Sequence, residues 1–180
     1  MKWIALLIGV SLSCISIFPP TIPATAQDTP ILKVYFSPRR GCTVAVIREL
    51  ANAKTTIFVQ AYSFTSAPIA KALVDAHKRG VKVEVILDRS QRTDKYSSST
   101  FFFNKGISLR IDAQHAIAHN KVMVIDGETV ITGSFNFTRA AEEKNAENLL
   151  VIRDKNLAER YSANWREHEK HSEVYTGRER

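Results

Sequence analysis

The sequence predicts an α/β fold in a single domain, with a mixed, mostly parallel β-sheet that is flanked by helices on both faces. Segments of strand length that are rich in β-branched residues alternate along the chain with segments whose apolar residues recur at helical spacing. Residues 27–180 also have the size of one domain around one hydrophobic core. The sequence shows neither an internal repeat nor a low-complexity segment that would require a second domain.

Residues 1–26 predict a secretory signal peptide. Lys2 precedes the apolar run 3–18, and small residues at 24–26 provide an A-x-A-like cleavage site. The apolar run is too short to span a bilayer comfortably, although a retained anchor and lipoprotein processing at Cys14 are alternatives. We therefore expect export to the periplasm or the medium, with no stable membrane insertion after cleavage.

The first ninety residues predict three strands that are separated by two helices. Ser66 is expected to cap the second helix, with Pro68 in its first turn and Gly80 at its end. This order favours parallel pairing of the strands through right-handed crossovers. The strands are predicted at residues 31–36, 55–64 and 81–87, and the helices at residues 42–53 and 66–80.

The second half of the chain predicts four further strands and a long final helix. The Asp126-Gly127 pair predicts a type I′ hairpin between two of these strands. Asp154 is expected to cap the final helix, whose inward stripe includes Leu157 and Trp165. The strands are predicted at residues 107–111, 119–125, 128–132 and 149–152, with short helices at residues 100–105 and after Thr138.

The segment HNKVMVID, residues 119–126, fits the pattern H-x-K-x(4)-D. Because side chains alternate along a strand, His119 and Lys121 are expected on the same face. Asp126 falls on the opposite face and in the hairpin turn, so we expect it to have a structural role. One face of the strand therefore presents an imidazole next to an ammonium group.

The segment GSFNF follows the predicted hairpin and adds neutral hydrogen-bond donors. Gly133 permits a close approach of the backbone, and Ser134 and Asn136 alternate onto a shared side if the segment is extended. A phosphodiester in its five-coordinate state needs positioned donors for its equatorial oxygens, and these residue types are suitable. Glu147 could accept a hydrogen bond from the second ring nitrogen of His119 and so fix its tautomer.

The pattern H-x-K-x(4)-D, followed by G-S-x-N and a later glutamate, resembles the phospholipase D superfamily, and within it the small bacterial Nuc-type endonucleases. The resemblance implies the phospholipase D/nuclease fold and phosphodiester hydrolysis without a metal or other cofactor. It also implies that His119 attacks phosphorus, that Lys121 holds the phosphate, and that a second histidine protonates the leaving oxygen. The implied catalytic set is His119, Lys121, Ser134, Asn136 and Glu147, with structural support from Asp126 and Gly133.

The motif occurs once in this chain, whereas the reaction implied by the resemblance uses two histidines. Larger superfamily members carry two copies of the motif in one chain. A homodimer would supply the second histidine by symmetry, on the opposite side of the phosphorus atom. We therefore expect a homodimer with one active site, to which each subunit contributes its own His119.

A net charge of +7, spread over the chain, favours an anionic partner. The leading prediction is an endonuclease that cleaves DNA, and RNA as a second substrate, with little sequence preference because no base-reading module is visible. Binding is then mostly electrostatic. The predicted phosphate contacts are Arg39, Arg40, Arg89, Arg92, Lys95 and Arg139.

Two other functions remain open. A phospholipid could be the substrate in the same chemistry, although the chain lacks a long apolar or amphipathic segment after residue 26 for membrane binding. A non-catalytic protein that binds polyanions is the alternative of another class, and the complete motif argues against it.

His115 has two further possible roles. With Asp112 and His119 it could form a metal site, since the two histidines stand four residues apart, and alone it could serve as an in-chain general acid. This segment precedes a strand rather than lying in a helix, and Lys121 would repel a cation. We therefore expect no metal here. The remaining histidines, His77, His168 and His171, are expected on helices as surface or packing groups.

Overall fold

The computed structural model describes residues 31–177, so the predicted signal peptide lies outside the described residues. Its strands are β1 (Ile31–Phe36), β2 (Thr56–Ala61), β3 (Lys82–Asp88), β4 (Ser108–Asp112), β5 (Lys121–Ile125), β6 (Thr129–Gly133), β7 (Asn148–Arg153) and β8 (Glu173–Val174). Its helices are α1 (Cys42–Asn52), α2 (Ala67–Lys78), α3 (Ser99–Asn104), α4 (Arg139–Glu143) and α5 (Lys155–His171). The strands form one sheet in the order β1-β7-β6-β5-β2-β3-β4-β8.

The predicted α/β class, single domain and mixed sheet are confirmed, but the prediction of a mostly parallel sheet is wrong. Only β2 with β3 and β3 with β4 pair in parallel, and the other five pairings are antiparallel. The reason is that β1 pairs with β7 instead of β2, while the β5–β6 hairpin and β7 lie between them. A strand-helix-strand order along the chain does not specify which strands become neighbours.

Helices cover both faces of the sheet, as predicted. On one face, Val46 of α1 and Leu73 of α2 belong to the main core with Val59 and Val85 of the sheet. On the other face, Ala158 of α5 packs on a smaller cluster of strand residues. Trp165 of α5 stacks on Phe58 at 4.6 Å and donates a hydrogen bond to the Val59 carbonyl. These two layers hold the strand ends in fixed positions.

The ends of the helices follow the predicted signals in part. Asp154 caps α5 by accepting a hydrogen bond from the Leu157 amide at 3.0 Å. Ser66 precedes α2 but makes no side-chain cap, although Pro68 lies in the first turn. Strand β8 was not predicted, because two residues carry no periodicity. Among residues 31–177, no helix combines the length and the apolar composition needed to cross a membrane.

The Asp126-Gly127 turn joins β5 to β6 with positive φ at both residues, 54° and 66°, as a type I′ turn requires. The Asp126 carboxylate accepts hydrogen bonds from the backbone amides of Lys54, Thr55 and Thr56 and from the Thr55 hydroxyl. This places Asp126 in a structural position, where it ties the hairpin to the segment before β2.

Replacement of Asp126 by alanine is expected to lower the free energy of unfolding by about 2 kcal/mol, because several donors lose a charged acceptor. Chemical denaturation measures this effect. Glu128→Ala is the matched control in the same turn, since the exposed pair of Glu128 with Lys155 contributes at most about 1 kcal/mol. Equal losses in the two variants would contradict the structural role of Asp126.

The effect of Asp126→Ala also depends on pH. Burial alone would raise the pKa of the Asp126 carboxyl, but hydrogen bonds from Thr55, Thr56 and Lys54 hold that pKa below its ordinary value. The native carboxylate therefore binds its proton more weakly than the unfolded one. Its contribution is complete above the ordinary aspartate pKa and is lost as the pH falls through the lower folded pKa. The difference between wild type and variant should shrink in acid.

Candidate active site

The predicted catalytic residues gather at one edge of the sheet. Strand β5 begins where β2 ends, since Lys121 pairs with Ala61. Strand β6 ends where β7 begins, since Gly133 pairs with Leu149. His119, Lys121, Gly133, Ser134, Asn136 and Glu147 all lie at or next to these strand ends. The antiparallel pairings therefore bring together segments that are far apart in sequence.

His119 and Lys121 lie side by side, as strand alternation predicted. The Lys121 Nζ atom is 3.0 Å from His119 Nδ1 and donates a hydrogen bond to the His119 carbonyl at 2.7 Å. Lys121 is only 7% exposed, while His119 is open to solvent. Burial lowers the pKa of Lys121 below its ordinary value, and the charge of Glu147 partly opposes this shift. A buried ammonium next to an accessible imidazole is suited to binding an anion.

Tyr62 is part of this site, although it belongs to no motif in the sequence. The centre of its ring lies 4.6 Å from the centre of the His119 ring and 5.3 Å from Lys121 Nζ. The Tyr62 amide donates a hydrogen bond to the Asn120 carbonyl at 2.8 Å. The sequence feature that could have identified Tyr62 is its position directly after a buried strand, at the sheet edge where the site residues lie.

Asp88 is a second residue that sequence reasoning missed. Its carboxylate ends β3, is 3% exposed, and accepts a hydrogen bond from the Ala118 amide at 2.7 Å. The other oxygen accepts from the Ser90 amide at 2.9 Å. Asp88 therefore fixes the backbone immediately before His119, and we assign it a positioning role. An aspartate that closes an apolar strand was the signal in the sequence.

The GSFNF segment has the alternation that was predicted. Phe135 and Phe137 are fully buried, whereas Ser134 is exposed and Asn136 is half-buried. Ser134 Oγ accepts hydrogen bonds from the backbone and side-chain amides of Asn148 at 3.1 and 3.3 Å. Among the described residues, the buried Oδ1 atom of Asn136 has no hydrogen-bond partner. Asn136 is thus available to a ligand.

Gly133 allows the close approach that was expected, with a φ of +142°. A Cβ atom at this position would lie 2.3 Å from the Asn148 carbonyl oxygen. Only glycine fits between the end of β6 and the start of β7. Gly133 therefore sets the spacing between the Ser134 segment and Glu147.

The predicted hydrogen bond between Glu147 and His119 is not present. The Glu147 carboxylate accepts from the Asn145 side-chain amide at 3.1 Å, and its backbone is held by Ser37. His119 Nδ1 lies instead next to Lys121 Nζ. Glu147 acts electrostatically, because its charge raises the pKa of Lys121. The effect of Glu147 on the imidazole is therefore indirect in this structure.

The six predicted phosphate-binding residues follow strand ends at the edge that carries His119. Arg39 and Arg40 follow β1, and Arg139 follows β6, where it pairs with Glu143 at 2.8 Å. Arg92 pairs with Glu173, and the Lys95 ammonium lies 5.6 Å from the centre of the Tyr96 ring. Arg89 is exposed at the end of β3. Contact of these residues with a substrate stays a prediction.

The structure does not join His115 to His119 in a metal site. His115 packs instead against His168 and His171, with ring centroids 5.0 and 5.3 Å away. All three lie around the buried carboxylate of Asp112. His168 and His171 lie on α5 and pack against other rings, as expected, and they also contact this carboxylate. These residues come from separate parts of the chain, and their approach is a consequence of tertiary structure.

Comparison with known proteins agrees with this geometry. The family described as "Cardiolipin synthase, PLD-like domain" matches residues 46–168, which include His119, Lys121 and Glu147. The phospholipase D of Rickettsia typhi is 46% identical over 130 residues, which are 72% of this chain and 64% of that protein. The mitochondrial cardiolipin hydrolase of Chlamydomonas reinhardtii is 34% identical over 108 residues, 60% of this chain and 48% of that protein.

The chain thus spans less than two thirds of the length of these curated relatives. Among solved structures, the phospholipase D family member Nuc from Salmonella typhimurium is similar with a TM-score of 0.79 at 42% identity. This similarity covers 84% of the present chain and 100% of that one. The resemblance inferred from the motif is confirmed, and the chain belongs to the phospholipase D superfamily.

Proposed function

We propose that this protein is an exported phosphodiesterase that cleaves DNA, with RNA as a second substrate, at a site shared by two subunits of a homodimer. The observation that carries the proposal is the Lys121 ammonium 3.0 Å from His119 Nδ1, at a sheet edge that also carries the half-buried side-chain amide of Asn136. A cation and an amide can hold the non-bridging oxygens of a phosphodiester beside an exposed nucleophile. Export rests on the sequence of residues 1–26.

The first step forms a phosphohistidine. His119 Nε2 attacks phosphorus, and the bond from phosphorus to the leaving oxygen breaks. This attack requires the ring proton to be on Nδ1, so the contact of Nδ1 with Lys121 must be exchanged for a contact between Lys121 and a phosphate oxygen when substrate binds. The buried ammonium then balances the charge that develops on the phosphoryl oxygens.

The first step also needs a general acid for the leaving oxygen, and the second step needs a general base for the attacking water. The partner subunit's His119 would protonate the leaving oxygen, then take a proton from water as the water attacks phosphorus and the P–N bond breaks. Two imidazoles supply the proton transfers and the lysines supply the charge, so the proposed reaction uses no metal ion. One motif per chain is sufficient only if two chains meet at the site.

An exposed apolar patch supports dimerisation next to the site. Leu32, Val34 and Phe36 of β1 are 57%, 46% and 52% exposed. Their partners on β7 include Leu150 and Ile152, which point to the same face of the sheet. Phe36 pairs with Asn148, so the patch begins where the catalytic edge lies. We propose that a second copy of the chain covers this patch.

The choice between nucleic acid and lipid rests on the relatives. Similarity to Nuc covers the whole of that chain, which supports a nuclease. The names phospholipase D and cardiolipin hydrolase among the relatives favour a phospholipid as the second candidate substrate. The basic charge of the chain fits either anion.

Supercoiled plasmid incubated with purified protein in excess EDTA tests the proposal. Wild type is expected to nick the plasmid, His119→Ala to leave it intact, and the control His77→Ala, on α2, to behave as wild type. A parallel reaction uses cardiolipin-containing vesicles. Formation of phosphatidic acid from cardiolipin without plasmid cleavage would replace DNA by lipid as the substrate, and no hydrolysis in either reaction would favour the non-catalytic alternative.

A further inference from the structure

A cluster of three histidines and one aspartate includes neither His119 nor Lys121. Asp112, His115, His168 and His171 each offer one ligand atom, and these atoms lie within 4.8 Å of one another. Asp112 Oδ2 is 2.7 Å from His168 Nδ1, 3.4 Å from His171 Nε2 and 3.9 Å from His115 Nε2. All three histidine side chains therefore converge on one oxygen of the Asp112 carboxylate.

Separate elements bring these residues together. Asp112 is the last residue of β4, His115 follows it by three residues, and His168 and His171 lie in the last turn of α5. The i, i+3 spacing places the two helical rings on the same side of α5. The cluster thus joins the end of the long helix to the end of an interior strand.

The surroundings orient the ligand atoms. The Gln114 amide donates to Asp112 Oδ1 at 3.1 Å, which leaves Oδ2 for the histidines. The Ser172 hydroxyl donates to the His168 carbonyl at 2.6 Å and holds the end of α5. Asp112 is completely buried, whereas the His115 side chain is 44% exposed and offers a path from solvent. Partners of this kind fix ligands in metal sites.

We propose that Asp112, His115, His168 and His171 form a structural zinc site. Three imidazole nitrogens and one carboxylate oxygen are ligands that zinc accepts, and four protein ligands complete its tetrahedral shell. With bonds of about 2.0–2.2 Å, neighbouring ligand atoms are about 3.3 Å apart. The three histidine nitrogens lie 2.7–3.9 Å from Asp112 Oδ2, a range that includes this spacing. The His115 ring, which is the farthest of the three, is exposed and can rotate closer to the ion.

A complete shell of protein ligands excludes a bound water, so the zinc ion has a structural role and no catalytic one. It joins β4 to the end of α5, whose Trp165 and Ala158 cover one face of the sheet. Zinc at about 100 times its Kd would raise the folded-to-unfolded ratio about 100-fold. Chelation is therefore expected to lower the melting temperature without stopping cleavage at a temperature where the apoprotein is folded.

Calorimetric titration of EDTA-dialysed protein with zinc chloride tests this site. Wild type is expected to bind one zinc ion per chain and to melt at a higher temperature with zinc. Loss of an outer-shell partner weakens metal binding by about 10–100-fold, so removal of a ligand in His168→Ala or His115→Ala should weaken it at least about 100-fold. The control His77→Ala lies outside the cluster and should bind as wild type does.

His115→Ala keeps the test valid if the more buried His168→Ala fails to fold. Circular dichroism of each variant without zinc confirms that the fold is retained. Zinc binding that is equal in wild type and His115→Ala, or absent from wild type, would overturn the site and leave the cluster as a hydrogen-bonded network. Plasmid cleavage in EDTA is measured separately, so a failed zinc site does not bear on the proposed phosphodiesterase.

Discussion

Mixed preparations of wild-type and His119→Ala subunits are expected to lose phosphodiesterase activity in proportion to the square of the wild-type fraction. If each active site uses His119 from both subunits, only dimers with two wild-type chains are active. After the two chains are refolded together in equal amounts, about one quarter of the wild-type activity should remain. Independent sites in each subunit would instead leave about one half.

The pure His119→Ala protein sets the baseline for this measurement. Loss of the nucleophile and of the acid-base group together should reduce the rate by about 10⁴-fold or more. The substitution should leave the fold intact, because the His119 ring is exposed and, among the described residues, lies against Tyr62 and Lys121. Activity of the mixtures therefore reports pairing of the subunits and not unfolding.

Two further variants complete the experiment. Mixtures with His77→Ala should keep full activity at every ratio, since that side chain lies on α2, away from the site. Val34→Glu places a charge in the exposed apolar patch of β1, and we expect a monomer in sedimentation that has lost cleavage. A linear decrease in the His119→Ala mixtures, or an active monomer, would contradict the shared site.

Much of the fold followed from local chemistry in the sequence. The Asp126-Gly127 turn, the Asp154 cap and the alternation of Phe135 and Phe137 with polar residues all appear as predicted. These features depend on neighbours within a few residues. The pairing of β1 with β7 does not, because it joins residues more than a hundred positions apart and leaves no local signal. For this reason the sheet is mixed, as predicted, but not mostly parallel.

In the site, too, local features could be predicted from the sequence and tertiary contacts could not. Strand parity was enough to place His119 beside Lys121. It could not identify Tyr62 or Asp88, which reach the site from two other strands and have no motif of their own. The prediction of a hydrogen bond between Glu147 and His119 was wrong, because a shared edge of the sheet does not specify which side chains meet. Tertiary contacts decide these pairs.

Lys121→Met is expected to lower the rate of phosphodiester cleavage by about 10²–10³-fold, because the phosphate loses a buried cation that stabilises the transition state. Methionine has a similar length and no charge, so the buried position beside Tyr62 stays filled. Single-turnover rates of plasmid cleavage measure the loss. Lys121→Arg is the control that keeps a positive charge, and it should retain more activity than Lys121→Met.

If the charged form of Lys121 is the active one, the rate of cleavage should fall at high pH, where the ammonium loses its proton. Burial lowers the pKa of Lys121, so activity should fall at a lower pH than the ordinary lysine value of about 10.4 would give. Glu147 raises this pKa, and Glu147→Gln removes its negative charge. The ammonium then loses its proton more easily, so the alkaline limb of Glu147→Gln should move to lower pH.

Glu143→Gln is the matched control, because Glu143 pairs with Arg139 on α4 and does not contribute to the pKa of Lys121. Its alkaline limb should coincide with that of wild type. A limb that stays in place in Glu147→Gln, or moves to higher pH, would show that Glu147 does not stabilise the ammonium. Because the carboxylate and the imidazole are not hydrogen-bonded, this shift separates an electrostatic role of Glu147 from a role in orienting His119.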